Sequence, residues 1–131
     1  MENKPIRVFI VDDHPIIRRG LRSIIDEEDD IEVVGEASSG QEVLDNLSQI
    51  SCDVMLLDIS MPGKGGLDIL KPVKQEKPHM AILMLSIHPA KYYAERCIDG
   101  GASGYLTKEA APNKLIDAIR TVTQGMVFLS S

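Results

Sequence analysis

Residues 6–25 read IRVFIVDDHPIIRRGLRSII, and two periodicities meet inside this stretch. Its first six residues are apolar except for Arg7 and rich in β-branched side chains, the composition of a strand covered on both faces. After Asp12, Asp13 and His14, Pro15 stands in the first turn of a segment whose Ile16, Ile17, Gly20, Leu21, Ile24 and Ile25 recur at helical spacing. That spacing predicts one apolar stripe laid on a sheet, with Arg18, Arg19 and Arg22 left near solvent. The charge run at 26–30 ends the helix.

The same alternation repeats along the chain. Strands are expected at 6–11, 31–36, 54–58, 81–85 and 103–107, with helical segments between them, which is the pattern of βαβ units. Ser39, with Glu42 three residues on, forms a capping-box signature for the second helix, whose buried face is Val43, Leu44, Leu47 and Ile50. Gly65-Gly66 begins the third helix, Pro89 the fourth and Pro112 the fifth; Leu115, Ile116, Ile119 and Val122 pattern the last one before Gly125 stops it. Pro72 falls inside the third helix and predicts a kink or an early end there. Residues 126–131 are expected to leave the last helix without reaching another element. The fold class that follows is α/β: a single doubly wound (βα)5 domain with a five-stranded parallel sheet of order 2-1-3-4-5.

Composition narrows the function. At 131 residues, 44% hydrophobic and 26% charged, the chain suits one domain with a core of its own. Lys+Arg 14 against Asp+Glu 20 gives a net charge of −6, which lacks the basic footprint that nucleic acid requires. Cys52 and Cys97 are too few for a disulfide framework or a zinc site and read as reduced, partly buried thiols. The apolar run around 54–57 falls far short of the ~20 residues of a membrane span, and no signal-peptide pattern opens the chain. The expected location is cytoplasmic, with no membrane partner.

Placed on these elements, the polar residues gather. Asp12 and Asp13 end the first strand, Asp58 ends the third, and Ser86 and Lys108 follow the fourth and fifth. All lie at the carboxyl edge of the sheet, where open α/β sheets bind ligands at the point of winding reversal. Three crowded carboxylates repel unless a cation neutralises them, and an all-oxygen set selects Mg2+, with Mn2+ as the alternative, over zinc. Such an ion implies a phosphoryl group, with Asp58 the best nucleophile and Lys108 and Ser86 holding phosphoryl oxygens.

These residues carry a family resemblance. Asp12-Asp13, Asp58 followed by Ile59-Ser60-Met61-Pro62-Gly63, Ser86, and Gly104-Tyr105-Leu106-Thr107-Lys108 resemble the receiver domain of two-component response regulators, a flavodoxin-like fold. Asp13-His14-Pro15, Val34-Gly35-Glu36-Ala37 and Gly101-Ala102-Ser103-Gly104-Tyr105 are similar to the NarL/FixJ subfamily, whose members carry LuxR-type output domains. The resemblance implies that Asp58 takes a phosphoryl group from a phosphohistidine on a sensor histidine kinase. It implies Asp13, Asp58 and the Ser60 carbonyl as direct metal ligands, with Asp12 acting through water. It also implies Ser86 as the switch hydroxyl, Tyr105 as the aromatic that follows it, and Lys108 as the cation on the phosphoryl group.

The implied protein is a phosphoacceptor switch rather than an enzyme, with at most self-catalysed phosphorylation and dephosphorylation. Residues 1–131 would be its receiver, and the helix-turn-helix output domain that carries DNA binding in the subfamily would be missing from this chain. Phosphorylation-dependent homodimerisation belongs to the same expectation. A stand-alone receiver acting by protein contact or as a phosphorelay intermediate is the alternative. A flavodoxin-like cofactor binder would need a Ser/Thr/Gly-rich cradle where Asp12-Asp13-His14-Pro15 stands. Two departures from the family pattern affect the site's rim: Glu109 follows Lys108 where many receivers have proline, and Gly65 replaces a frequent Asp or Asn. His14, His79 and His88 read as structural or exposed, with His88 close enough to Ser86 to border the site.

Overall fold

The computed structural model describes residues 4–129. Strand β1 (Ile6–Val11) leads into helix α1 (Pro15–Asp26), β2 (Ile31–Ala37), α2 (Gly40–Asn46) and a 3-10 turn over Leu47–Gln49. Then come β3 (Val54–Asp58), α3 (Gly66–Glu76), β4 (Ala81–Ser86), α4 (Ala90–Asp99), β5 (Gly104–Thr107), α5 (Ala111–Thr123) and β6 (Phe128–Leu129). All pairings are parallel and the strand order is β2-β1-β3-β4-β5-β6.

Alternation along the central strands divides the core. Val54 and Leu56 of β3 join Leu83 and Leu85 of β4 on the face covered by α1 and α5, where Leu21, Ile25, Leu115 and Ile119 are buried. Met55 and Leu57 join Ile82 and Met84 on the other face, against Val43, Ile69, Leu70, Val73 and Cys97 from α2, α3 and α4. Both faces are covered, which is why β3 and β4 read as apolar runs.

The structure corrects the sequence reading at several points. A sixth strand follows α5, where residues 126–131 were expected to reach no further element; Ser130 and Ser131 lie outside the described residues. Gly125 takes a positive φ of 81° and turns the chain, and the Phe128 amide donates to the Ser103 carbonyl at 3.1 Å. Phe128 pairs with Gly104, where a Cβ would stand 2.7 Å from the Phe128 carbonyl oxygen, so the missing side chain admits the strand. Half-buried Phe128 packs on the α1/α5 face of the core. Phe128→Ala is expected to lower stability by about 1 kcal/mol in urea unfolding, since part of an aromatic side chain leaves the core.

Pro72 does not end α3, which runs on to Glu76. Ile69, Leu70 and Val73, buried on either side of the proline, hold the helix on the sheet against its local preference. Ile16, 77% exposed, and Gly20, also exposed, leave the expected stripe. Arg18 does the reverse: only 18% exposed, it turns inward to Glu36. The capping box of α2 is modified, since Ser39 Oγ accepts the Glu42 amide at 3.1 Å while the Glu42 carboxylate accepts the Ser38 amide rather than that of Ser39. Cys52 and Cys97 are free thiols, pushed up to about 12 and about 11 respectively by burial.

Candidate functional site

Register brings the acidic residues together. Val11 is level with Leu57, so Asp12 and Asp58 leave neighbouring strands side by side at the carboxyl edge. The Ile59 amide donates to the Leu85 carbonyl and the Lys108 amide to the Ser86 carbonyl, which extends the row across β4 and β5. Asp12, Asp58 and Ser86 are buried polar residues, at 0%, 1% and 1% exposure, in a core that is otherwise apolar. Buried charge of this kind needs a compensating partner.

Lys108 supplies part of it. Its Nζ donates to Asp58 Oδ2 at 3.1 Å and forms an ion pair with Asp12 Oδ2 at 2.9 Å. Burial and the Asp12 charge raise the Asp58 pKa above the ordinary carboxylate value, against the opposing pull of Lys108 and the Ser60 amide. Burial also pulls Lys108 toward neutrality, but Asp12 and Asp58 together outweigh it and leave the ammonium above its usual pKa. One ammonium does not satisfy the cluster: Asp12 Oδ2 and Asp13 Oδ1 are buried carboxylate oxygens that make no hydrogen bond, with Lys108 Nζ at 2.9 Å and His14 Nδ1 at 3.1 Å as their ion-pair neighbours. Asp12, Asp13, His14 and Asp58 offer ligand atoms that all lie within 4.8 Å of one another, so the pocket can hold a metal ion. Orphaned oxygens in an oxygen-rich set fit a hard divalent cation.

Asp58 Oδ1 accepts the Ser60 amide at 3.1 Å, which ties the backbone of Ser60 to the carboxylate. Ser86 Oγ accepts the His88 amide at 2.9 Å, so its own proton is available to another acceptor. Tyr105 is fully buried and its hydroxyl donates to the His88 carbonyl at 2.7 Å. The Lys108–Glu109 peptide is trans, and the turn after it closes through the Ala110 amide on the Thr107 carbonyl. Gly65 caps α3, its amide donating to Asp68 Oδ2 at 2.9 Å.

The sequence reading located every acidic residue, Lys108 and Ser86, but it missed two contributions. His14 is 60% exposed, yet its Nδ1 stands 3.1 Å from one oxygen each of Asp12 and Asp13. The only sequence signal was its place beside the acidic pair. His88 acts through its backbone, linking the Ser86 hydroxyl to the Tyr105 hydroxyl, a role that side-chain chemistry does not announce.

A family model described as the response regulator receiver domain matches residues 8–120. The chain is 41% identical over 130 residues to the nitrate/nitrite response regulator protein homolog of Haemophilus influenzae, covering 99% of this chain and 62% of that protein. It is 38% identical over 126 residues to the response regulator UvrY of Escherichia coli, covering 96% of this chain and 58% of that one. The chain thus spans about three-fifths of the length of these curated relatives. Among solved structures, a LuxR-family two-component response regulator from Aurantimonas superposes with a TM-score of 0.91 at 31% identity, over 97% of this chain and 91% of that one. The non-phosphorylated receiver domain of RcsB from Escherichia coli gives 0.89 at 27% identity, over 98% and 100%. With the doubly wound sheet, the acidic crevice at its carboxyl edge and the facing lysine, these matches place the chain in the response regulator receiver domain family, among regulators of the NarL/FixJ type.

Proposed function

We propose that Asp58 is the phosphoacceptor of this receiver, taking a phosphoryl group from a phosphohistidine of a sensor histidine kinase. The observation that supports it best is the buried Asp58 carboxylate facing the Lys108 ammonium at 3.1 Å beside acidic oxygens that make no hydrogen bond. An Asp58 oxygen attacks phosphorus in line as the bond to the donor nitrogen breaks. Lys108 leaves its ion pair with Asp58 to hold a phosphoryl oxygen, and the free Ser86 proton turns to another. Asp13, Asp58 and the Ser60 carbonyl would hold Mg2+, or Mn2+, with Asp12 acting through water; the ion supplies charge neutralisation for the developing phosphoryl oxygens.

Once Ser86 is engaged, its bond from the His88 amide weakens, and the His88 carbonyl that receives Tyr105 moves with it. Tyr105 is the switch aromatic in this reading, because its hydroxyl is tied to that same residue. The surface of α4, β5 and α5 then changes its preference for partners, a population shift that the phosphoryl group drives by contacting one arrangement better than the other. Phosphorylation and dephosphorylation have at most a self-catalysed component.

In the whole protein, residues 1–131 act as the receiver and an output domain of helix-turn-helix type makes the contact with DNA. Phosphorylation promotes pairing of two copies. Among the described residues no helix is long and apolar enough to cross a membrane. The test is intact mass with peptide mapping after incubation with acetyl phosphate. A gain of one phosphoryl group on the peptide holding Asp58, dependent on Mg2+, is the expected result; labelling that maps elsewhere refutes the assignment.

A further inference from the structure

Arg18 is the arginine that its helical position assigns to solvent and that the fold turns inward. Its Nη1 donates to the Asp12 backbone carbonyl at 2.6 Å and its Nε donates to Glu36 Oε1 at 2.9 Å. Glu36 sits on β2, level with Ile10 of β1, and its other oxygen accepts from Arg22 Nε at 2.9 Å. The guanidinium thus spans two anchors. One is a carboxylate on the edge strand, and the other is the peptide group that joins Asp12 to Asp13.

We propose that Arg18 is a positioning residue for the acidic site: by fixing the Asp12–Asp13 peptide against Glu36, it sets how tightly these two acids hold a divalent cation. The inference rests on the reading of the site as a cation site and adds a residue that touches neither the ion nor the phosphoryl group. The orientation of that peptide determines where Asp13 projects from the end of β1, two residues before the chain enters α1 at Pro15. On the other side the Asp12 amide is held by the Ala37 carbonyl at 3.1 Å, so both flanks of Asp12 are tied to β2, one directly and one through Arg18 and Glu36. Arg22 and Arg18, acting against a smaller cost of burial, hold the Glu36 carboxyl below its usual pKa, so the anchor stays charged. A planar fork reaches both anchors at once, and a single ammonium on a flexible stem does not.

Charge and position make opposite forecasts, which gives the test its power. If Arg18 acted only as a positive charge near the site, removing it would tighten cation binding. If it positions the acids, removing it weakens binding, and partners behind a metal site commonly change affinity by roughly tenfold or more. Mg2+ binding to residues 1–131 is measured by isothermal titration calorimetry for wild type, Arg18→Met, Arg18→Lys, Glu36→Gln and Arg19→Met.

Arg18→Met is expected to raise the Mg2+ Kd about tenfold. Arg18→Lys and Glu36→Gln should give smaller losses, and exposed Arg19→Met, with the same change of charge, should give none. A metal-free urea titration of each variant separates simple loss of stability, which lowers the midpoint without changing the Kd of folded protein. An Arg18→Met Kd within twofold of wild type, or tighter, overturns the proposal. Should Arg18→Met fail to fold, Arg18→Lys decides: it keeps the charge but loses the bridge, and an unchanged Kd counts against positioning. Absence of Mg2+ binding by wild type overturns the cation-site reading itself and is recognised before any variant is compared.

Discussion

Asp58→Asn is expected to abolish phosphoryl uptake from acetyl phosphate and, in the same protein without metal, to raise stability. The first effect follows from chemistry: the amide oxygen is a far weaker nucleophile, and an amide cannot form the acyl phosphate. The second follows from burial. Asp58 is 1% exposed, and its carboxyl is held above its ordinary pKa chiefly by burial and next by the charge of Asp12, so ionised Asp58 costs the folded state more than the unfolded one. A raised folded pKa means that the folded chain favours the protonated form. The stability linked to this group is complete below the unfolded pKa and is lost as pH rises through the folded one. The gap between variant and wild type should therefore be full at neutral pH and close in acid, near the ordinary carboxylate range.

The expected gain at pH 7 without metal is on the order of 1 kcal/mol, a few degrees in Tm for a domain of this size. Asparagine keeps the shape, and Lys108 keeps Asp12 as a partner at 2.9 Å. Calorimetric scans of both proteins with a chelator across pH 4–8 check the sign. A variant less stable than wild type at neutral pH would mean that the Lys108 ion pair outweighs burial. Retained labelling would remove Asp58 from its proposed role.

The second large effect is steric. At Gly66, the first residue of α3, a Cβ would stand 2.4 Å from the Asp58 carbonyl oxygen and 2.9 Å from Met84 Cε. Only the methionine end is soft. The carbonyl belongs to the backbone of β3, so alanine must push the start of α3 away from the strand or move the residue that carries the proposed phosphoacceptor. A loss of roughly 2–3 kcal/mol is expected for Gly66→Ala in urea unfolding, together with slower labelling of whatever remains folded. Gly20 provides the contrast, for nothing lies within 4 Å of a Cβ there and it sits in mid-helix. Gly20→Ala should raise stability by up to about 1 kcal/mol through helix propensity alone. Equal effects at the two positions would show that close approach at Gly66 is not what the glycine serves.

The fold was legible because its information is local. Apolar runs from Ile6, Val54 and Ala81, each followed by a segment at helical spacing, define βα units, and parallel units put every strand's carboxyl end on one edge. Asp12, Asp13, Asp58, Ser86 and Lys108 could therefore be brought to one site without knowing any contact. The early end that Pro72 suggested for α3 does not occur, for the complementary reason. Pro72 carries a local penalty, and Ile69, Leu70 and Val73 outweigh it only because a sheet lies beneath them.

The sequence by itself determined the elements, the covered sheet and the chemistry gathered at its carboxyl edge, since each depends on periodicity and on the position of a residue at the end of a strand. The tertiary structure alone decided that Phe128 adds a strand beside Gly104, that Arg18 turns from solvent to the Asp12 carbonyl and Glu36, and that the backbone of His88 joins Ser86 to Tyr105. Each of these is a pairing between groups remote in the chain or carried by the backbone. A hydrogen bond or a close approach of that kind depends on where two elements meet, to within an ångström, and no local pattern encodes that distance.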